Sequence, residues 1–202
     1  TGKGRCNVSN DCSGQEVLQN TPRNGRFLYS AMTAFPPEKI MSFLEENGCA
    51  LKTERGNRVF PVSDSAKSIL DCLQNELRRQ KVTICTARAK GILEENGSVS
   101  GVQTENERIR ANWVILATGG FGRLFPESTN SSDIGGDGCA MAYGAGGRMT
   151  DMEFVQFEPS AAVWPEALAG KSITTTMFYE GAVLKGADGQ RFMFQYSLEG
   201  EC

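Results

Sequence analysis

The chain has 202 residues, with 21 lysines and arginines against 24 aspartates and glutamates and a formal net charge of −3. That acidic balance argues against an electrostatic nucleic-acid footprint, and the absence of any histidine removes every Ser-His, Cys-His and His-metal mechanism. No apolar run approaches the roughly 20 residues that cross a bilayer, so a membrane span is not expected.

Seven cysteines (Cys6, Cys12, Cys49, Cys72, Cys85, Cys139 and Cys202) form no C-x-x-C pair. The odd count and the missing histidines speak against structural zinc. Cys72, on an expected helix, and Cys85, on an expected strand, read as small reduced core residues, and a cytoplasmic location is expected. The first residue is not Met and the chain opens and closes in loop-like sequence, so a fragment is expected.

The opening stretch TGKGRCNVSN, Thr1 to Asn10, packs glycines beside Lys3 and Arg5. Such a loop suits an anion cradle in which backbone N–H groups and the guanidinium point at phosphate. It lacks the third glycine and the preceding strand of the dinucleotide fingerprint, and a solvated loop is the plainer alternative. Asn24 to Thr33 and Pro37 to Asn47 read as two helices, the second with Ile40, Phe43 and Leu44 on one face and Gly48 as its stop.

In Leu51 to Asp64 the pair Gly56-Asn57 marks a turn between Arg55 and Arg58, two cations that suit either an anionic ligand or a hairpin tip in water. Ser63 or Asp64 should cap a helix over Ala66 to Gln80, whose apolar Ala66, Ile69, Leu70, Leu73 and Leu77 follow a 3.6 period and should face a core. Val82 to Thr86 and Arg88 to Glu94 read as strands. Asn96-Gly97 is a two-residue hairpin signal leading to Val99 to Thr104, and Arg108 to Ala111 follows after a polar turn.

Trp113 to Gly120, WVILATGG, is the stretch around which the rest is organised. Val114 to Ala117 reads as a strand buried on both faces, and Thr118-Gly119-Gly120 lets the backbone approach a ligand at the carboxyl edge of an α/β sheet. After a loop from Phe121 to Asp133, Gly136, Asp137 and Gly138 open a helix over Cys139 to Ala145, where backbone N–H groups can meet a ligand or merely cap the helix. Gly144, Gly146 and Gly147 close that helix. Met152 to Phe157, Thr174 to Phe178 and Gly181 to Leu184 read as strands, and Ala187 to Gln190 as a turn.

GKGRCNVSN, RGNRVFPVSD and ILATGG, in that order over about residues 1 to 120, resemble the BaiN-type NAD(P)/FAD-dependent oxidoreductases, which include aminoacetone-oxidase-like proteins. ATGGFGRLF, GGDGCAMAYGAGG, DMEFVQFEPS and EGAVLKGADGQRFM, over about residues 117 to 193, resemble the flavoprotein subunits of fumarate reductase, succinate dehydrogenase and L-aspartate oxidase.

Both resemblances imply an α/β fold: an FAD-binding, Rossmann-like, doubly wound three-layer domain with a β-meander, incomplete at its N-terminus, followed by the start of a substrate or capping domain. The division expected is 1–158 and 159–202. They imply a flavoenzyme that passes hydride between a small organic substrate, or NAD(P)H, and FAD. By position, Gly4, Arg5, Cys6 and Asn7 match a loop near the flavin, Thr118, Gly119 and Gly120 a segment contacting FAD, Gly136, Asp137 and Gly138 a cofactor-side turn, and Ala89 a backbone contact to adenine.

Proton-transfer candidates, on residue type and place, are Glu158, Tyr179, Glu180 and Arg191. The family's GxGxxG unit is not in the sequence. Glu158 stands where a histidine is usual, Phe178 where the dicarboxylate enzymes carry an arginine, and Thr174-Thr175 where they carry a Ser/Thr-Glu pair. Alternatives are a dicarboxylate oxidoreductase, a flavoprotein relic without catalysis, or a flavin-dependent RNA-modifying protein. No metal is expected, and oligomeric state is not encoded in any of these motifs.

Overall fold

Leu51–Glu54 (β2) and Arg58–Pro61 (β3) pair antiparallel in the register Thr53 to Val59, with Arg55–Asn57 as a one-turn tip. Ser9–Asn10 (β1) joins the free edge of β3, so the order is β1-β3-β2. Val59, Phe60 and Pro61 turn this short sheet inward and are buried.

The computed structural model describes residues 4–156, 161–174 and 176–198. They fall into two compact units, Thr1–Thr86 and Ala87–Cys202. In the first, Gly14–Gln19 (α1) is a helix that apolar periodicity does not announce, although its start is legible. Ser13 and Glu16 form a reciprocal capping box, each side chain bonded to the other's backbone N–H. The helix expected over Asn24 to Thr33 begins one turn late: Gly25–Leu28 is a 3-10 turn and Tyr29–Ala34 is α2. Pro37–Glu46 (α3) starts at Pro37, as a fixed proline φ favours.

Ala66–Arg79 (α4) is capped by Ser65, not by Ser63 or Asp64. The Ser65 hydroxyl reaches the Lys67 N–H at 3.3 Å, whereas Asp64 turns its carboxylate toward Lys52 and Arg5. The core forms where α3 and α4 meet, from Leu44, Cys49, Ile69 and Cys72, with Cys6, Val8, Ile40, Phe43 and Leu51 packed against it. Here the expected apolar stripe of α4 splits. Ile69 enters the core beside Cys72, while Leu70 stays 52% exposed and Leu73 and Leu77 are also exposed. The helical period holds; which side of the stripe meets a partner is a tertiary choice.

Ala89–Glu95 (β4), Ser98–Thr104 (β5) and Arg108–Arg110 (β6) make an antiparallel meander in the second unit. Asn96 and Gly97 take φ of 52° and 75°, the two positive values that a type I′ turn requires. Buried Thr104 organises the turn into β6: its hydroxyl donates to the Glu107 carbonyl and accepts from the Asn106 and Glu107 amides. Asp137–Gly144 (α5) packs against β4. Later residues hold little regular structure, chiefly the short helix Thr176–Tyr179 (α6) and single bridges joining Ala161 to Ser172 and Lys185 to Arg191.

Several expected strands are absent among the described residues. Trp113 to Ala117 pairs with no strand, and Trp113 and Ile115 are 89% and 90% exposed. Val82 to Thr86 is likewise unpaired and leaves Cys85 exposed rather than in a core. Met152 to Gln156 is irregular, with residue 157 outside the described residues, and Phe154 is exposed. Thr176–Tyr179 is helical, and Gly181 to Leu184 is not a strand. The physical reason is common to all. An apolar run becomes a strand only when a second strand pairs with it along a ladder, and no described strand pairs with these runs. No described helix is long and apolar enough to cross a membrane.

Three helices close in one way. After α3, α4 and α5, the residue past the cap takes positive φ and the next N–H reaches back to the carbonyl five residues earlier: Cys49 to Leu44, Val82 to Leu77 and Gly147 to Ala142, all at 2.9 Å. Gly48 and Gly146 occupy the strained position without cost, but α4 uses Lys81 at φ 57°. Lys81→Gly is therefore expected to raise stability by about 0.5–1 kcal/mol, read as a higher urea midpoint at unchanged slope.

Candidate functional site

The second unit brings together two of the three glycine-bearing segments singled out from the sequence. Gly136, at φ 82°, caps α5 without a side-chain hydrogen bond, so Asp137 and Gly138 form its first turn, where main-chain amides lack intrahelical partners. A Cβ on Gly138 would stand 1.8 Å from the Thr118 Oγ1, so the Thr118 side chain lies directly on that turn. A Cβ on Gly136 would meet Phe121 at 2.9 Å, and one on Gly119 would meet Ile134 at 3.2 Å. The Arg123 N–H donates to the Ile134 carbonyl at 3.0 Å. Thr118 to Arg123 and Ile134 to Gly138 thus run side by side, while Gly120 faces open space.

Beside them lies a cavity of about 480 Å³ between β4 and α5, lined by Ala89, Gly91, Asp137, Met141 and Gly144 among others. That size lies within the range of about 300–1,000 Å³ typical of ligand pockets. Ala89 and Asp137, chosen from the sequence for separate reasons, share this one space. Arg88 also lines it and sets its Nη2 3.4 Å from the Asp137 Oδ2, with both side chains well exposed. A pair so solvated contributes little stability, of the order of 0–1 kcal/mol, and leaves both groups free to exchange partners. Arg88 carries no motif that marks it in the sequence, although it stands directly before Ala89, and Met141 lies within GGDGCAMAYGAGG without being singled out there.

Gly4 to Asn7 belong to the first unit, where they are clamped. The Gly4 carbonyl accepts from the Ala66 N–H at 2.8 Å, and the Val8 N–H donates to the Val59 carbonyl at 2.8 Å. Arg5 donates through Nη2 to Glu54 at 2.6 Å and Asp64 at 2.5 Å, with its guanidinium 4.1 Å above the Phe60 ring. Lys52 completes the network, 2.7 Å from Asp64 and 3.3 Å from Glu54. The cation expected to point at phosphate is committed to two carboxylates and a ring. Cys6 packs against the core, and the Asn7 amide, oriented with its nitrogen as donor, reaches the Ser9 and Val59 carbonyls.

Glu54 is held below the usual carboxylate range, first by its hydrogen bond from Arg5 and then by Lys52; Asp64 is lowered first by Lys52 and then by Arg5. The two cations are raised in return. A depressed carboxylate contributes stability that is complete above its unfolded pKa, about 4, and is lost as pH falls through the folded value. The protein should therefore lose stability on acidification below about pH 4, and the double variant Glu54→Gln, Asp64→Asn should show a flatter profile there when unfolding is followed against pH.

Of the proton-transfer candidates, Glu158 lies outside the described residues, and Tyr179 is placed only as the last residue of α6. Glu180 follows that helix in an exposed turn, its N–H donating to the Met177 carbonyl. Arg191 sits with its guanidinium 4.5 Å from the Phe194 ring centre. Neither Glu180 nor Arg191 lines the cavity beside Ala89 and Asp137. No three described Cys, Asp or Glu side chains are grouped as a metal site.

Both described sheets are antiparallel, and in the second unit the meander is set against a helix whose glycine-rich start meets a Thr-Gly-Gly turn. Residues 1–135 match the family described as HI0933-like protein Rossmann domain. The chain belongs to that family, and its fold class is α/β of the Rossmann type.

Among similar proteins, a fumarate reductase (CoM/CoB) subunit of Methanothermobacter marburgensis is 39% identical over 131 residues, 62% of this chain and 24% of that protein. The L-aspartate oxidase of Saccharolobus solfataricus is 34% identical over 141 residues, 68% of this chain and 29% of the relative. That of Caulobacter vibrioides is 41% identical over 118 residues, covering 54% and 22%. The chain spans about a quarter of the length of these curated relatives.

Proposed function

We propose that this protein works as an FAD-dependent oxidoreductase, passing hydride between a small organic substrate, or NAD(P)H, and a bound flavin. The observation that supports this reading best is the meeting of Thr118–Gly120 with Gly136–Gly138 beside the cavity that Ala89 and Asp137 share. When bound, the flavin supplies the two-electron chemistry, and the protein supplies position and field.

The amides at the start of α5 and the bare backbone at Gly119 and Gly120 would hold the polar parts of the cofactor, aided by the positive end of the helix. Ala89 would meet the adenine through its backbone. Gly4, Arg5, Cys6 and Asn7 would present main-chain groups from a segment kept rigid by the Arg5 network. Glu158, Tyr179, Glu180 and Arg191 remain the candidates for proton transfer. In this reading residues 1–158 serve the cofactor and 159–202 begin the substrate-covering part, in a cytoplasmic enzyme. Within the family, GKGRCNVSN and RGNRVFPVSD favour a BaiN-type member.

A second reading has one specific support, the names of the relatives: a dicarboxylate or amino-dicarboxylate oxidoreductase. Phe178 in place of an arginine, and the hydroxyl pair Thr174-Thr175, weigh against it, because a second carboxylate in a dry site needs a cation.

The test is the visible absorption of the purified protein in its full natural length, before and after NADH, NADPH, fumarate or L-aspartate. A yellow protein bleached by a nicotinamide and indifferent to fumarate is expected. A colourless protein that fails to take up added FAD removes the proposal, and turnover of fumarate or aspartate replaces it with the second reading.

A further inference from the structure

Between Glu16 and Glu38 the sequence carries no acidic residue, in a chain that is acidic as a whole. The stretch contains Arg23, Arg26, Phe27, Tyr29 and Phe35, and part of it folds into a second cavity, of about 510 Å³, in the first unit. Thr21, Arg23, Asn24, Arg26, Phe27 and Leu28 line it.

The loop is pinned rather than loose. The Thr21 hydroxyl donates to the Val17 carbonyl at 2.7 Å, and the Phe27 N–H donates to the Asn24 carbonyl at 2.8 Å. Gly25 comes so near α1 that a Cβ there would lie 2.6 Å from the Leu18 carbonyl oxygen. Two arginines three residues apart project from this fixed base, both exposed, and neither makes a hydrogen bond, ion pair or ring contact among the described residues. Elsewhere in the chain most arginines are engaged: Arg5 with Glu54 and Asp64, Arg79 with Glu76, Arg88 with Asp137, Arg110 with Glu95. Thr21 and Asn24 add polar groups to the wall and Phe27 and Leu28 its apolar part, with Phe27 87% exposed beside the two cations.

We propose that Thr21–Leu28 binds the phosphoryl end of a small molecule, with Arg23 and Arg26 as a two-fork clamp and Phe27 and Leu28 as the wall for an apolar or flat body. A phosphoryl group carries nearly two negative charges at neutral pH and three acceptor oxygens, which two planar guanidinium forks can match together. A single carboxylate would leave one fork without a partner. The concave shape and its volume suit a small ligand, and no residue that lines it carries a carboxylate to repel an anion. This site stands apart from the flavin reading, since no residue of it belongs to the proposed cofactor set.

The experiment is calorimetric titration of the full-length protein with inorganic pyrophosphate, and separately with NADPH and NADH. Pyrophosphate is expected to bind, with an affinity that weakens as ionic strength rises. Arg23→Gln and Arg26→Gln should each weaken it about tenfold or more, with Lys at either position intermediate, because charge is kept but the fork is lost. Arg148→Gln, which removes another arginine without a described partner and outside this cavity, should leave binding unchanged. Phe27→Ala should weaken a ligand with a flat body and spare pyrophosphate.

NADPH binding more tightly than NADH, with the difference lost in Arg26→Gln, makes the dinucleotide the source of the phosphoryl group. Equal affinities for the two, with pyrophosphate still bound through both arginines, make it a phosphorylated substrate. The proposal is overturned if pyrophosphate does not bind, or if Arg23→Gln and Arg26→Gln, with unchanged far-ultraviolet circular dichroism, bind it like the parent. Flavin absorption, read on the same samples, reports on the oxidoreductase reading separately.

Discussion

Gly101→Ala is expected to cost about 3–5 kcal/mol, a severe loss for one added methyl group. Gly101 lies on the central strand β5, paired with Leu93 on one side and Arg110 on the other. Its φ of 148° is one that side chains rarely adopt, and a Cβ would lie 2.1 Å from the Ile109 carbonyl oxygen and 3.0 Å from the Arg110 Cα. The obstacle is backbone of the neighbouring strand, so no rotamer change can relieve it. Either β6 separates from β5 or β5 itself shifts. Gly97→Ala supplies the contrast: its φ is also positive, at 75°, but nothing lies within 4 Å, so only conformational strain of about 1 kcal/mol is added. Urea unfolding of the two variants in parallel decides the matter. If Gly101→Ala proves as mild as Gly97→Ala, the pairing of β6 with β5 is not as described.

Gly138→Ala should have the second largest consequence, and it reaches function. The added Cβ would lie 1.8 Å from Thr118 Oγ1 and 2.8 Å from Thr118 Cβ. The blocking group is a side chain, so the Thr118 turn can retreat, at a cost of about 1–3 kcal/mol typical of overpacking. That retreat would pull the two glycine-bearing segments apart and, on the proposed function, lower flavin retention more than stability alone accounts for. Thr118→Gly in the same chain removes the obstacle and should recover much of the loss, so the pair should be strongly non-additive. Strictly additive losses would mean that the two segments do not depend on each other, and the site as built would have to be abandoned.

Much of the local structure is legible because short-range chemistry dictates it. Ser13-x-x-Glu16 is a capping box wherever a helix follows, and Asn96-Gly97 accepts the two positive φ values of a tight hairpin. The apolar period of Ala66 to Gln80 announces α4 to within a residue. The closeness of Thr118 to Gly138 follows from the family resemblance rather than from spacing, for nineteen residues of largely irregular chain lie between them. The cap of α4 lies one or two residues later than the sequence suggests, because Asp64 looks like a cap while its charge is wanted by Lys52 and Arg5. Arg5 itself looks like an anion ligand. Nothing near it in the chain discloses Glu54 and Asp64, which come within reach only when β1 joins β3.

Type and approximate limits of α3, α4 and α5, the Asn96-Gly97 hairpin turn, the acid-free arginine loop and membership of a Rossmann-type family are written in the chain, in neighbours a few residues apart or in motifs. Packing in three dimensions settles the rest: which leucines of α4 stay in water, that Arg5 is committed to carboxylates, that Ala89 and Asp137 share one cavity, and that the run from Trp113 to Ala117 is not a paired strand. The division has one cause. A helix closes its hydrogen bonds within itself, whereas a strand, a salt bridge and a cavity each need a partner distant in the chain.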